Sequence, residues 1–103
     1  MNLLLRERFE LPTGHPVFVG HFPGRPVVPG ALLLDEVVRL AQGLSGDLRW
    51  YCSSVKFLAP ALPGQPLTVE LRAASDSGPL TFRVVHDEIE IAIGSLEPIE
   101  TGG

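Results

Sequence analysis

With 103 residues, 45% of them hydrophobic and 19% charged, the chain is long enough to bury one core and too apolar to remain disordered. Its net charge of −4, with the basic residues scattered, excludes the basic stripe that nucleic-acid binding needs. Cys52 is alone and supports neither an internal disulfide nor a zinc site, so a buried small hydrophobe is expected there.

The N-terminal segment reads as a strand over residues 2 to 10, ended by Pro12-Thr13-Gly14. It reaches charge too early for a secretory signal. No later apolar run approaches the length of a membrane span, so a cytoplasmic protein is expected. His15 to Phe18 reads as a single turn. Pro23, Pro26 and Pro29, with Gly24 and Gly30 between them, then stiffen the backbone from Gly20 to Gly30, a constraint that suits a site. His21 lies in that loop.

A helix is expected from about Pro29 to Gln42, with Gly43 and Ser45-Gly46-Asp47 stopping it. Gly30 offers a backbone N–H at its positive end. Ala31, Leu32, Leu33, Leu34, Val37, Val38, Leu40 and Ala41 cover most of its circumference, which predicts a central, mostly buried helix. Asp35, Arg39 and Gln42 form one polar line at i, i+4 and i+7, so Asp35 can be read as a solvent-facing residue as well as a site residue.

Four strands should follow, over 48–59, 67–73, 80–86 and 89–94, separated by Pro60, Pro63-Gly64, the Ser75 to Pro79 turn and Asp87-Glu88. Leu67, Val69, Leu71 and Ala73 alternate with Thr68, Glu70 and Arg72, which predicts one wet face for that strand. Short connections imply an antiparallel sheet, and a sheet curled around the helix gives an α+β fold. Residues 1–96 are read as one domain and 97–103 as a flexible tail. His86, like His15, is expected to be exposed.

The run Gly20-His21-Phe22-Pro23-Gly24-Arg25-Pro26-Val27-Val28-Pro29-Gly30 resembles the signature of bacterial 3-hydroxyacyl-(acyl carrier protein) dehydratases of hot-dog fold. Val55-Lys56-Phe57, Pro60, Pro63-Gly64 and Leu67 are similar to the strand and turn after that family's helix. The resemblance implies an antiparallel sheet wrapped around one long helix. It also implies dehydration of a 3-hydroxyacyl thioester to a trans-2-enoyl thioester, in fatty-acid or related acyl-chain synthesis, with no cofactor or metal.

By position, His21 matches the base that takes the α-proton, Gly30 the amide that binds the thioester oxygen, and Asp35 the acid that assists loss of the 3-hydroxyl from a partner subunit. A homodimer with shared active sites and an acyl carrier protein as partner follow from the same resemblance. Phe22, Leu32, Leu33 and Phe57 could line the acyl channel or form plain core. Arg25 and Lys56 are the candidates for docking an acidic carrier protein. One departure stands out: the family usually has glutamine where this chain has Arg39, and a cation at i+4 would hold Asp35 ionised. A hot-dog thioesterase and a non-catalytic acyl- or carrier-binding subunit are the alternative functions.

Overall fold

The structure, a computed structural model, describes residues 2–10, 28–46, 48–75 and 78–99. Five strands and one helix follow in the order β1 (Asn2–Phe9), α1 (Gly30–Ser45), β2 (Arg49–Phe57), β3 (Leu67–Ala73), β4 (Leu80–His86) and β5 (Ile89–Ile99). The strands form one sheet in the order β1-β3-β4-β5-β2, every pair antiparallel. The chain thus starts at one edge of the sheet and, after α1, resumes at the other. That is the α+β arrangement the alternation implied.

The core forms where α1 meets the sheet. Leu33, Val37 and Ala41, at i, i+4 and i+8 on one helix face, are buried with Trp50 of β2, Leu67, Val69 and Leu71 of β3, Phe82 and Val84 of β4 and Leu96 of β5. Trp50 Nε1 donates to Ser45 Oγ at 2.8 Å, which ties the end of α1 to β2. Asp87, at φ 54°, makes the tight turn from β4 to β5 with Glu88.

Several boundaries and burials differ from expectation. The helix passes through Gly43 and ends at Ser45, where Gly46 takes φ 69° and its N–H bonds Gln42 O at 3.0 Å. Glycine costs an interior helix position only about 1 kcal/mol, and the contacts around Ala41 and Ser45 outweigh that. The helix is not mostly buried within one chain: Leu32, Leu34, Val38 and Leu40 are half-buried and Ala31 and Leu44 exposed, because the sheet covers one side of α1 only. Strand β5 runs to Ile99 instead of stopping at Gly94, so residues 97–99 belong to the sheet, Glu97 opposite Tyr51, and not to a tail. Gly94 marks a close approach: a Cβ there would lie 2.2 Å from the Ser54 carbonyl oxygen and 2.6 Å from Phe82 Cζ.

The outer face of the sheet is not uniformly wet. Glu70 retains 5% of its accessible surface, because three arginines close over it. Arg6 donates through Nε and Nη2 at 3.0 and 2.8 Å, Arg72 through Nη1 at 3.0 Å and Arg83 through Nη1 at 2.8 Å. Arg6, Glu70 and Arg83 stand in register across β1, β3 and β4, so strand pairing itself builds the cluster.

Candidate functional site

Pro29 caps α1 without a side-chain hydrogen bond, and no acidic side chain sits in the first turn. The N–H of Gly30, the first helical residue, has no acceptor within the helix, and the positive end of the helix dipole is uncompensated by carboxylates of its own turn. The Val28 N–H donates to Ala61 O at 2.7 Å, which anchors this end of the helix to the loop after β2.

A cleft of about 450 Å³ opens here, lined by Val28, Gly30, Leu33, Phe57 and Ala61 among others. The Phe57 ring lies against Gly30, so close that a Cβ on Gly30 would stand 2.6 Å from Phe57 Cζ. Leu33 and Phe57 are therefore cleft residues. Leu32 is not: it packs half-buried against the core beside the cleft. Val28 and the residues from Leu58 to Ala61 line the cleft unforeseen, and the Pro60-Ala61-Leu62-Pro63 run was the signal that could have found them. His21, Phe22, Arg25 and His15 lie outside the described residues.

Asp35 is exposed, five residues past Gly30. That separation is about 7.5 Å along the axis and about 140° around it, so Asp35 projects away from the Gly30 cleft of its own chain. It lines a second groove, of about 370 Å³, with Leu34, Val38, Arg39 and Gln42. Arg39 does not clasp it. The guanidinium turns to Glu36, donating through Nε to Oε2 at 3.1 Å and through Nη2 to Oε1. The hydrogen bonds and charge of Glu36, with a further contribution from Glu7 of β1, raise the Arg39 pKa further.

Lys56 is next to Phe57 in β2 and so points to the opposite face of the sheet. There it borders a groove of about 590 Å³ with Thr81 and with Arg72 and Arg83, two cations that were not singled out from the sequence as site residues. Arg83 Nε also donates to Glu90 Oε2 at 2.8 Å. The Glu70 carboxyl is lowered to about 2, first by the hydrogen bond from Arg72 and then by Arg6 and the charge of Arg83, against the opposing effect of burial.

His86 is half-buried, not exposed, and its Nδ1 bonds the Pro66 carbonyl at 2.8 Å. Cys52 is half-buried against the core rather than fully buried, and burial pushes its thiol up. Among the described residues no His, Cys, Asp and Glu side chains gather into a metal site, and no helix is long and apolar enough to cross a membrane.

The model of the ApeI-like family, described as ApeI dehydratase, matches residues 4–95. A 3-hydroxyacyl-(acyl-carrier-protein) dehydratase FabZ of Syntrophobacter fumaroxidans is 34% identical over 79 residues, which cover 67% of this chain and 53% of that protein. The chain spans about half the length of such curated relatives. The solved dehydratase heterocomplex ApeI:P from Xenorhabdus doucetiae superposes with a TM-score of 0.79 at 26% identity, over 96% of this chain and 97% of that one. A probable thioesterase from Bartonella henselae reaches a TM-score of 0.68 at 20% identity over 99% of this chain and 95% of that one, a likeness of fold alone.

Proposed function

Because this chain belongs to the ApeI-like dehydratase family and has its hot-dog fold, we propose that it dehydrates 3-hydroxyacyl thioesters carried by acyl carrier protein to trans-2-enoyl thioesters. The observation that carries this reading is the uncapped helix start at Gly30, which opens on an apolar cleft and follows His21 by nine positions in the sequence. In the proposed step the His21 imidazole removes the proton from C2 of the acyl chain, and the electron pair shifts toward the thioester carbonyl. The Gly30 N–H holds the resulting oxyanion, a type of contact typically worth about 3 kcal/mol. As the C2–C3 double bond forms, the C3–O bond breaks, and a proton from Asp35 leaves with the hydroxyl as water. Leu33 and Phe57 line the acyl path, together with Phe22.

Asp35 faces away from the cleft of its own chain, so the reading requires the carboxyl of a second subunit. Half-buried Leu34 and Val38 beside Asp35 supply an apolar surface for such a contact. We assign a homodimer with two shared sites. The Xenorhabdus heterocomplex makes a non-identical partner the alternative. Arg25 and Lys56 remain the proposed contacts to an acidic carrier protein, and the proposed setting is the cytoplasm. The thioesterase alternative draws support from fold likeness alone. The non-catalytic alternative draws in part on the Arg39 departure, and the pairing of Arg39 with Glu36 weakens that part of it.

The test is an assay of the purified protein with carrier-bound 3-hydroxyacyl thioesters of several chain lengths, following enoyl formation, with His21→Ala as the control. Enoyl product from wild type and none from His21→Ala supports the reading. If wild type turns over no chain length while still binding carrier protein, the chain is a non-catalytic subunit.

A further inference from the structure

The cleft beside Gly30 is graded in exposure from mouth to floor. Phe57 and Leu58 at its mouth keep 49% and 46% of their accessible surface, whereas Val28, Leu33 and Ala61 keep 6%, 2% and 2% and belong to the core. Among the described residues no polar or charged side chain lines it, so a polar group on a buried chain would find no side-chain partner there. Ala61 has the smallest side chain on the floor. We propose that Ala61 sets the length of acyl chain the cleft accepts, its methyl leaving space that a larger side chain would fill. The proposal rests on the reading of the cleft as the acyl path given above.

A floor selects for length only if it cannot retreat, and the backbone around Ala61 is held on several sides. The Ala61 carbonyl accepts from the Val28 N–H at 2.7 Å, which fixes it to the segment leading into α1. Before it, the N–H groups of Leu58 and Ala59 donate to the Ile91 carbonyl of β5 at 2.8 and 3.3 Å, and Pro60 restricts φ. After it, the Leu62 N–H donates to Gln65 Oε1 at 2.9 Å, and the Leu62 carbonyl accepts from the Gln65 N–H at 3.3 Å. Leu33, the helix residue at the floor, is itself locked in the core. A chain too long for this space must lift its carbonyl from Gly30 or leave carbons at the exposed mouth. One methylene gained or lost in an apolar pocket changes selectivity by about 10–200-fold.

The experiment compares wild type with Ala61→Leu and Ala61→Val, in the full chain, by calorimetric titration. The probes are saturated acyl amides of a pantetheine-like amine, from butyryl to dodecanoyl, which keep the carbonyl and can be neither dehydrated nor readily hydrolysed. In wild type the affinity should rise with chain length and then level off. Ala61→Leu should bring that plateau about two to three carbons earlier and weaken the longest chain bound by about tenfold or more, with butyryl within about twofold of wild type. Ala61→Val should show the same pattern over about one to two carbons, and it decides the matter if Ala61→Leu fails to fold. Equal weakening at every length, or an unmoved plateau, overturns the proposal. Absence of binding at every length removes the acyl path itself and the proposal with it. Dehydration of 3-hydroxyacyl thioesters of the same lengths separates the two readings. A shifted plateau without enoyl product at any length leaves the floor standing and removes dehydration, whereas turnover with an unmoved plateau keeps dehydration and removes the floor.

Discussion

The Phe57 ring covers the Cα of Gly30 so closely that no other residue fits there without displacing it. The first residue of α1 and the last residue of β2 therefore define one end of the cleft together, and the glycine is required for packing whether or not its amide binds substrate.

Gly30→Ala should push the Phe57 ring aside at a cost of about 1 kcal/mol or less, because the ring is 49% exposed and can swing toward solvent, a change measurable by urea denaturation. Because the same shift displaces the Gly30 amide, kcat/KM should fall at least about tenfold. Gly30→Ala combined with Phe57→Leu should recover stability. Recovery of activity in that double variant tells whether the amide or the ring matters to turnover.

Glu70 has its carboxyl lowered to about 2 in the folded chain, against an ordinary value of 4.5. Its contribution to stability is therefore fully present above pH 4.5 and is lost as the pH falls toward 2. Glu70→Gln should cost about 1–3 kcal/mol at pH 7, less than for a fully enclosed pair, because the Arg6 and Arg83 side chains are 58% and 41% exposed and regain water. Near pH 2 wild type and variant should unfold at similar denaturant concentrations. Denaturation curves at the two pH values check this, and an equal gap at both would contradict it.

Gly94→Ala should be far more damaging than an alanine on an open strand surface. The new methyl would meet the Ser54 backbone carbonyl of β2 as well as the Phe82 ring, and the backbone cannot rotate away as a side chain can. A loss of about 3 kcal/mol or more is expected, seen as a marked drop in the thermal midpoint, with weakened protection of the β2–β5 hydrogen bonds in amide exchange.

Lys56 shares its groove with Arg72 and Arg83, on the opposite face of β2 from Phe57. If this cationic border guides an acidic carrier, Lys56→Glu should raise KM for carrier-bound substrate severalfold and reduce its salt dependence. KM for the same acyl group on a small uncharged thiol should not change. A matching loss with both substrates would assign Lys56 to the fold instead.

Local chemistry made a good part of the molecule legible. Strand β3 runs over the residues that alternation marked and β4 over those its flanking turns enclosed, and the proline and glycine pattern located the start of the helix at the cleft. Glycine was the main source of misreading. Gly43 and Gly94 looked like terminators, yet one lies inside α1 and the other lets Phe82 approach β2, because a glycine can end an element or accommodate a neighbour and the linear pattern is the same.

By itself the sequence determined the kinds of element found among the described residues and the family, since these depend on periodicity, backbone restriction and residue identity along the chain. Only the tertiary structure decided that β1 and β2 form opposite edges, that Glu70 is enclosed by arginines from three strands, that Lys56 and Phe57 serve different faces, and that Arg39 joins Glu36 and not Asp35. Those outcomes depend on which distant strands pair and on how much water each carboxylate retains. Spacing limits the candidates within reach of a side chain, but the competition among them is settled by solvation and packing.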